Sequence, residues 1–136
     1  MHQHFIMHKP FGYLCQFVCE LPKKKLVGEL YDFPEGTMAI GRLDEKSEGL
    51  LLLTTDGNVS EAVRSKKVEK EYYAQVDGLI SEEAIASMTQ GVEIGIFDVK
   101  YITLPCKAFR LEKTPDFPLR SKKFEMIGTD PHHGFL

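Results

Sequence analysis

The chain has 136 residues, which suits one domain and leaves no room for two. Its 43% hydrophobic and 27% charged content is that of an ordinary soluble globular protein. The net charge of −3 excludes nucleic-acid binding through bulk charge, so an RNA partner has to be gripped by a local basic patch. Three cysteines, Cys15, Cys19 and Cys106, with no secretion signal over Met1–Met7, predict reduced thiols in a cytoplasmic protein. Cys15 and Cys19 have the spacing of half a metal site, but no second half follows and His132-His133 stands far off, so no metal is expected. No run approaches the ~20 apolar residues of a membrane span.

In chain order, His4 to Met7 predicts a strand closed by Lys9-Pro10, and Gly12 to Val18 a second. The lysines Lys23 to Lys25 lead into a short helical stretch, Leu26 to Leu30. Pro34-Glu35-Gly36 is a turn and Thr37 to Ile40 a strand. Leu50 to Leu53, bounded by Gly49 and Asp56-Gly57, has the continuous apolar character of a strand covered on both faces. Val59, Ala62 and Val63 fall at helical spacing. Val68 to Val76 alternates, which puts Tyr72 and Tyr73 on opposite faces of a strand. Ser81 is a helix N-cap with Glu82 and Glu83 in the first turn, Ile80 and Ile85 form a staple, and Gly91 closes the helix. Tyr101 to Leu111 carries at least one more strand. These elements predict an α+β domain, a mixed and mostly antiparallel sheet flanked by short helices. After Leu111 the periodicity fails, punctuated by Pro115, Pro118, Gly128, Pro131 and Gly134.

The segment most informative for chemistry is Gly41-Arg42-Leu43-Asp44-Glu45-Lys46-Ser47-Glu48-Gly49, running on into Leu50 to Leu53 and Thr54-Thr55-Asp56-Gly57. A carboxylate on a loop between two core strands is held rigidly yet can face a cleft, which is what a group that must meet one carbon of a substrate requires. Spacing alone leaves a plainer alternative: Asp44 satisfies loop amides or pairs with Arg42.

The pattern Gly-Arg-Leu-Asp, two residues, Ser or Thr, one residue, Gly and four leucines resembles the signature of the pseudouridine synthase family. His8-Lys9-Pro10-Phe11-Gly12-Tyr13 resembles the Lys-Pro-x-Gly opening of the branch acting on bacterial ribosomal RNA. Glu69-Lys70-Glu71-Tyr72 resembles the second family motif, Lys/Arg-x-Tyr at the start of a strand. The resemblance covers Phe5 to about Lys123 and implies the family's catalytic fold, a ribosomal RNA partner (23S), monomeric action and no cofactor. It also implies the reaction. The N–C glycosidic bond of uridine breaks, the uracil turns, and a C–C bond forms to the same sugar carbon, on a base flipped out of its stack.

On that resemblance Asp44 is the catalytic carboxylate and Tyr72 packs on the flipped uracil. Arg42 fills the vacated stack or holds a phosphate, with a structural ion pair to Asp44 or Glu45 as its alternative. Lys9 and Lys70 are RNA contacts, and Lys23, Lys24, Lys25, Lys66 and Lys67 further candidates, each alternatively a solvated surface lysine. Two rivals stand beside this reading: a non-catalytic rRNA-binding remnant, and a carboxylate-dependent nucleoside or glycoside hydrolase needing a second acid such as Glu45 or Glu48. The family's third motif, an arginine-bearing late strand and helix, has no counterpart in these residues. Residues 1–123 are therefore expected to be an incomplete catalytic domain, and 124–136 an irregular tail. Lys122-Lys123 offers an adenine-rich run, and the codon junctions from Ile127 to Leu136 permit a family-like stretch in a shifted frame. An out-of-frame tail, poorly ordered, is the expectation.

Overall fold

Strand β1 (His4–Lys9) alternates exposed and inward residues along its length: His4, Ile6 and His8 face out, and Phe5, Met7 and Lys9 face in. In the computed structural model, which describes residues 1–117 and the backbone of 134–135, this strand opens a unit formed by Met1–Lys70. Two further strands join it, β4 (Met38–Ile40) and β5 (Gly49–Thr54), in the order β1-β5-β4 with both pairings antiparallel. Phe5 stands opposite Leu53, Met7 opposite Leu51, and Lys9 opposite Gly49. Two shorter strands, β2 (Tyr13–Leu14) and β3 (Lys25–Leu26), pair in parallel and lead into a single 3₁₀ turn, Val27–Glu29. The sheets are thus mixed and mostly antiparallel, as the pattern predicts.

Cys15, Val27, Leu51 and Leu53 form the buried core, flanked by Phe5, Met7, Phe17, Phe33, Ala39 and Leu43. Full burial of a leucine stabilises by about 1.5–3 kcal/mol, so the two β5 leucines anchor the whole sheet. Phe33 is the hub of an aromatic cluster, edge-on to Phe5 at 5.3 Å and to Phe17 at 5.5 Å. The expectation that Leu50 to Leu53 is covered on both faces fails. Leu51 and Leu53 are buried, but Leu50 is 68% exposed. A central antiparallel strand needs one packed face only, and here Leu51 and Leu53 meet the core on that face. Helix α1 (Gly57–Arg64) follows, its first turn capped by the Asp56 carboxylate, which accepts from the Asn58 N–H at 2.9 Å. It packs Ser60, Val59 and Val63 against β4 and β5, while Ala62 stays exposed.

A second compact unit begins at Glu71. The strand expected over Val68 to Val76 shrinks to β6 (Gln75–Val76), which pairs with β9 (Gly134–Phe135). Residues 69–74 take no regular structure. Alternation is a strand signal only where a neighbour completes the hydrogen-bond ladder, and at 69–74 none does among the described residues. Helix α2 (Glu82–Gln90) matches its sequence signals: the Ser81 hydroxyl accepts from Ala84 N–H at 3.1 Å, Ile85 is buried, and Gly91 ends it at φ 100°. The expected strand over Tyr101 to Leu111 lies earlier, as the hairpin β7 (Glu93–Ile96) and β8 (Val99–Ile102). Of the tail 124–136, only the backbone of Gly134–Phe135 is among the described residues; the expectation of a disordered, out-of-frame tail lies outside them.

Candidate active site

The Asp44 loop runs from the end of β4 to the start of β5, and its course is set by backbone contacts to three residues of the β1–β2 region. Gly41, at φ 77°, turns the chain out of β4 in a conformation only glycine adopts at no cost. The Cys15 thiol then grips Leu43 at both ends: its sulfur accepts from the Leu43 N–H at 3.3 Å and donates to the Leu43 carbonyl at 3.4 Å. Next, the Gly12 N–H donates to the Glu45 carbonyl at 2.7 Å, from a left-handed turn at φ 84°. Last, Lys9 sends its ammonium up from the core, donating to the carbonyls of Ser47 (2.6 Å), Pro10 (3.1 Å) and Glu45 (3.4 Å). A short turn, Ser47 N–H to Asp44 carbonyl at 3.0 Å, closes the loop on itself. Asp44 therefore projects from a backbone held on both sides, and its side chain is exposed. Rigid support beneath an accessible carboxylate is the arrangement that positioned chemistry needs.

Lys9 is fully buried, 0% exposed. Burial pushes its pKa down from the ordinary lysine range, opposed by the nearby Cys15, Glu45, Glu48 and Asp44. Above the loop, Lys24 holds the Glu45 carboxylate through both oxygens, at 2.7 and 3.0 Å. Beside it lies an open cavity of about 420 Å³, walled by Phe17, Met38, Arg42 and Arg64 among others.

The site residues expected from sequence fall into three groups. Asp44 and Arg42 share the loop, both exposed, and Arg42 makes no ion pair to Asp44 or Glu45 among the described residues. Lys9 is a correction: its ammonium is sealed in the core on three carbonyls, so it cannot reach a phosphate. The inward parity of β1 puts it there, the same parity that buries Phe5 and Met7. The lysine run is mostly engaged within the protein, Lys24 on Glu45 and Lys25 over the Tyr13 ring at 5.6 Å. Lys70 is exposed but donates to the carbonyls of Ser65 (2.8 Å) and Val68 (2.7 Å), closing the turn after α1. Tyr72 belongs to the second unit, 68% exposed and outside any strand, so the strand-face argument that sets it against Tyr73 does not hold. Tyr73 packs edge-on against Phe117 at 5.6 Å.

The sequence model of the family described as RNA pseudouridylate synthase matches residues 3–134. The chain belongs to that family. Ribosomal large subunit pseudouridine synthase E of Xanthomonas campestris is 34% identical over 126 residues, covering 87% of this chain and 65% of the relative. An uncharacterized RNA pseudouridine synthase of Aquifex aeolicus is 36% identical over 95 residues, covering 68% of this chain and 38% of the relative. A crystal structure of a pseudouridylate synthase superposes with a TM-score of 0.62 at 28% identity, over 79% of this chain and 46% of the other. The chain thus spans between 38% and 65% of the length of these two curated relatives. The α+β fold described above is the pseudouridylate synthase fold.

Two residues of this chain were not nominated by sequence. Cys15 reads there as a plain thiol, and only the fold shows that it brackets Leu43. Arg64 reads as an ordinary cation in the last turn of a helix, and only the fold turns it toward the cavity that Arg42 also borders.

Proposed function

We propose that the chain isomerises uridine to pseudouridine in ribosomal RNA of the large subunit, acting in the cytoplasm. Asp44 supplies the carboxylate that meets a uridine flipped out of its stack. The N1–C1′ bond breaks, the uracil turns, and C5 bonds to C1′; the C5 hydrogen leaves to solvent as N1 gains a proton, so the product is an isomer. Extrusion is required because C1′ and the base edge are both inaccessible in a stacked strand. Arg42 contacts the RNA beside the extruded nucleotide, Lys70 contributes to phosphate binding through its exposed ammonium, and Tyr72 packs on the uracil.

The observation that carries this reading is the Asp44 loop: an exposed carboxylate on a backbone tied to the core at Leu43, Glu45 and Ser47. Positioning of this kind lowers a barrier because the reacting group loses little freedom when substrate arrives. Pairing of the Glu45 carboxylate with Lys24 speaks against Glu45, one of the two candidate second acids of the hydrolase reading. The deciding experiment incubates the protein with ribosomal RNA carrying tritium at C5 of uridine. Tritium release without free uracil supports the isomerase; free uracil would indicate a hydrolase, and RNA binding with neither product the non-catalytic remnant.

A further inference from the structure

The cavity beside the Asp44 loop has a composition that the reaction at Asp44 does not use. Arg42 and Arg64 both border it, and no carboxylate does. Neither arginine makes an ion pair among the described residues. Two guanidinium groups bordering one open space make a local positive patch that favours an anion, and they occur here on a chain of net charge −3. Arg64 sits in the last turn of α1, where the helix dipole favours a cation, but the dipole does not account for a second arginine converging from another element.

Phe17, Met38 and Ala39 supply the apolar part of the wall, beside Cys15, Thr37 and Gly41. Phe17 lines the cavity and is held in place from behind. Its ring meets Phe33 edge-on at 5.5 Å, and a Cβ on Gly28 would come within 2.8 Å of the ring and 3.0 Å of its Cα. The Phe17 ring is thus a fixed platform. The volume, about 420 Å³, falls within the roughly 300–1,000 Å³ of small-ligand sites. Paired guanidinium groups match a phosphate through bidentate hydrogen bonds, and an aromatic face beside them matches a base.

We propose that this cavity is a subsite for one nucleotide of the RNA strand, its phosphodiester between Arg42 and Arg64 and its base against Phe17. The inference deepens the proposed function and rests on its RNA-binding part. The subsite binds a nucleotide other than the one at Asp44, and so contributes to affinity and register rather than to chemistry.

The test measures binding of a short single-stranded oligouridylate across a range of salt concentrations, without turnover. Each phosphate contact contributes about 0.7 to the slope of log affinity against log salt for a single strand. Arg64→Gln is expected to weaken binding and lower that slope, and Arg42→Gln to do the same, the two losses together reaching about 0.7 because both arginines share one phosphate. Phe17→Leu is expected to weaken binding several-fold with the slope unchanged. A slope unaltered by Arg64→Gln, in a variant whose melting temperature matches wild type, would overturn the subsite. So would a slope lowered by Arg42→Gln alone. Orthophosphate is tested alone as competitor. If it displaces the oligonucleotide at equal phosphate concentration, the site is a free-anion site and the nucleotide assignment fails. Should tritium release be absent while the slope difference stands, the isomerase reading falls and the subsite survives; the opposite pair of results removes the subsite only.

Discussion

Replacing Lys9 by methionine isolates the loop's deepest support. Methionine fills nearly the same stem volume and removes the ammonium, so packing is largely kept and the hydrogen bonds are lost. Three carbonyls lose a donor, but the Glu45 carbonyl keeps the Gly12 N–H at 2.7 Å. The Ser47 and Pro10 carbonyls are left to find solvent, at about 1–3 kcal/mol each. Removing a buried charge recovers part of its desolvation cost, which offsets some of that loss. The net expectation is a destabilisation of about 2–4 kcal/mol. Urea unfolding reads it directly, as a shifted midpoint at unchanged slope. The pH dependence supplies an independent sign. Burial lowers the Lys9 pKa in the folded state, so between that value and the ordinary lysine value of about 10.4 the unfolded chain binds more protons. Stability from Lys9 therefore rises with pH through that window, and the gap between wild type and Lys9→Met widens. A destabilisation below about 0.5 kcal/mol, typical of surface sites, would refute the buried ammonium, as would a gap that narrows with pH.

Cys15→Val should cost about 1–3 kcal/mol by stranding the Leu43 N–H, and Cys15→Ser less because a hydroxyl keeps both roles; equal losses in urea unfolding would contradict the bridge. Gly28→Ala should cost about 1–3 kcal/mol, since its Cβ meets Phe17 at 2.8 Å, and a neutral effect on thermal unfolding would show that Phe17 yields freely. Tyr72→Leu should lower turnover with stability within about 0.5 kcal/mol, because the ring is exposed. Tyr73→Leu should instead lower stability through its lost contact with Phe117; the reverse pattern in paired melting and tritium-release assays would move the uracil platform to Tyr73.

Much of this molecule is legible in its residues, and the failures share a cause. The Gly41 to Gly57 segment reveals the family because its function depends on local order: a glycine turn, an arginine, a loop carboxylate, then a strand. Helix α2 is legible for the same reason, since Ser81 and Glu82 at its start and Gly91 at its end each act on the adjoining turn of the helix. What depends on distant partners is not. Lys9 reads as a surface cation until β5 fixes the inward face of β1. Alternation at Tyr72 and Tyr73 reads as a strand, yet no neighbour pairs with it among the described residues. The β7–β8 hairpin escaped detection because its turn residues, Phe97 and Asp98, both take positive φ (48° and 62°) without the Asn-Gly or Asp-Gly that usually marks such turns. The cavity between Arg42 and Arg64 brings together residues 22 positions apart, and no motif encodes it.

Asp44 is the residue proposed to perform the isomerisation. Asp44→Asn is nearly isosteric, and an exposed loop carboxylate can be exchanged with the fold unchanged to within about 1 kcal/mol. Wild type and variant are matched by melting temperature, then assayed for tritium release from C5-labelled uridine in ribosomal RNA. Wild type should release tritium and Asp44→Asn none above background, with RNA affinity retained. Release by Asp44→Asn at the wild-type rate would contradict that role.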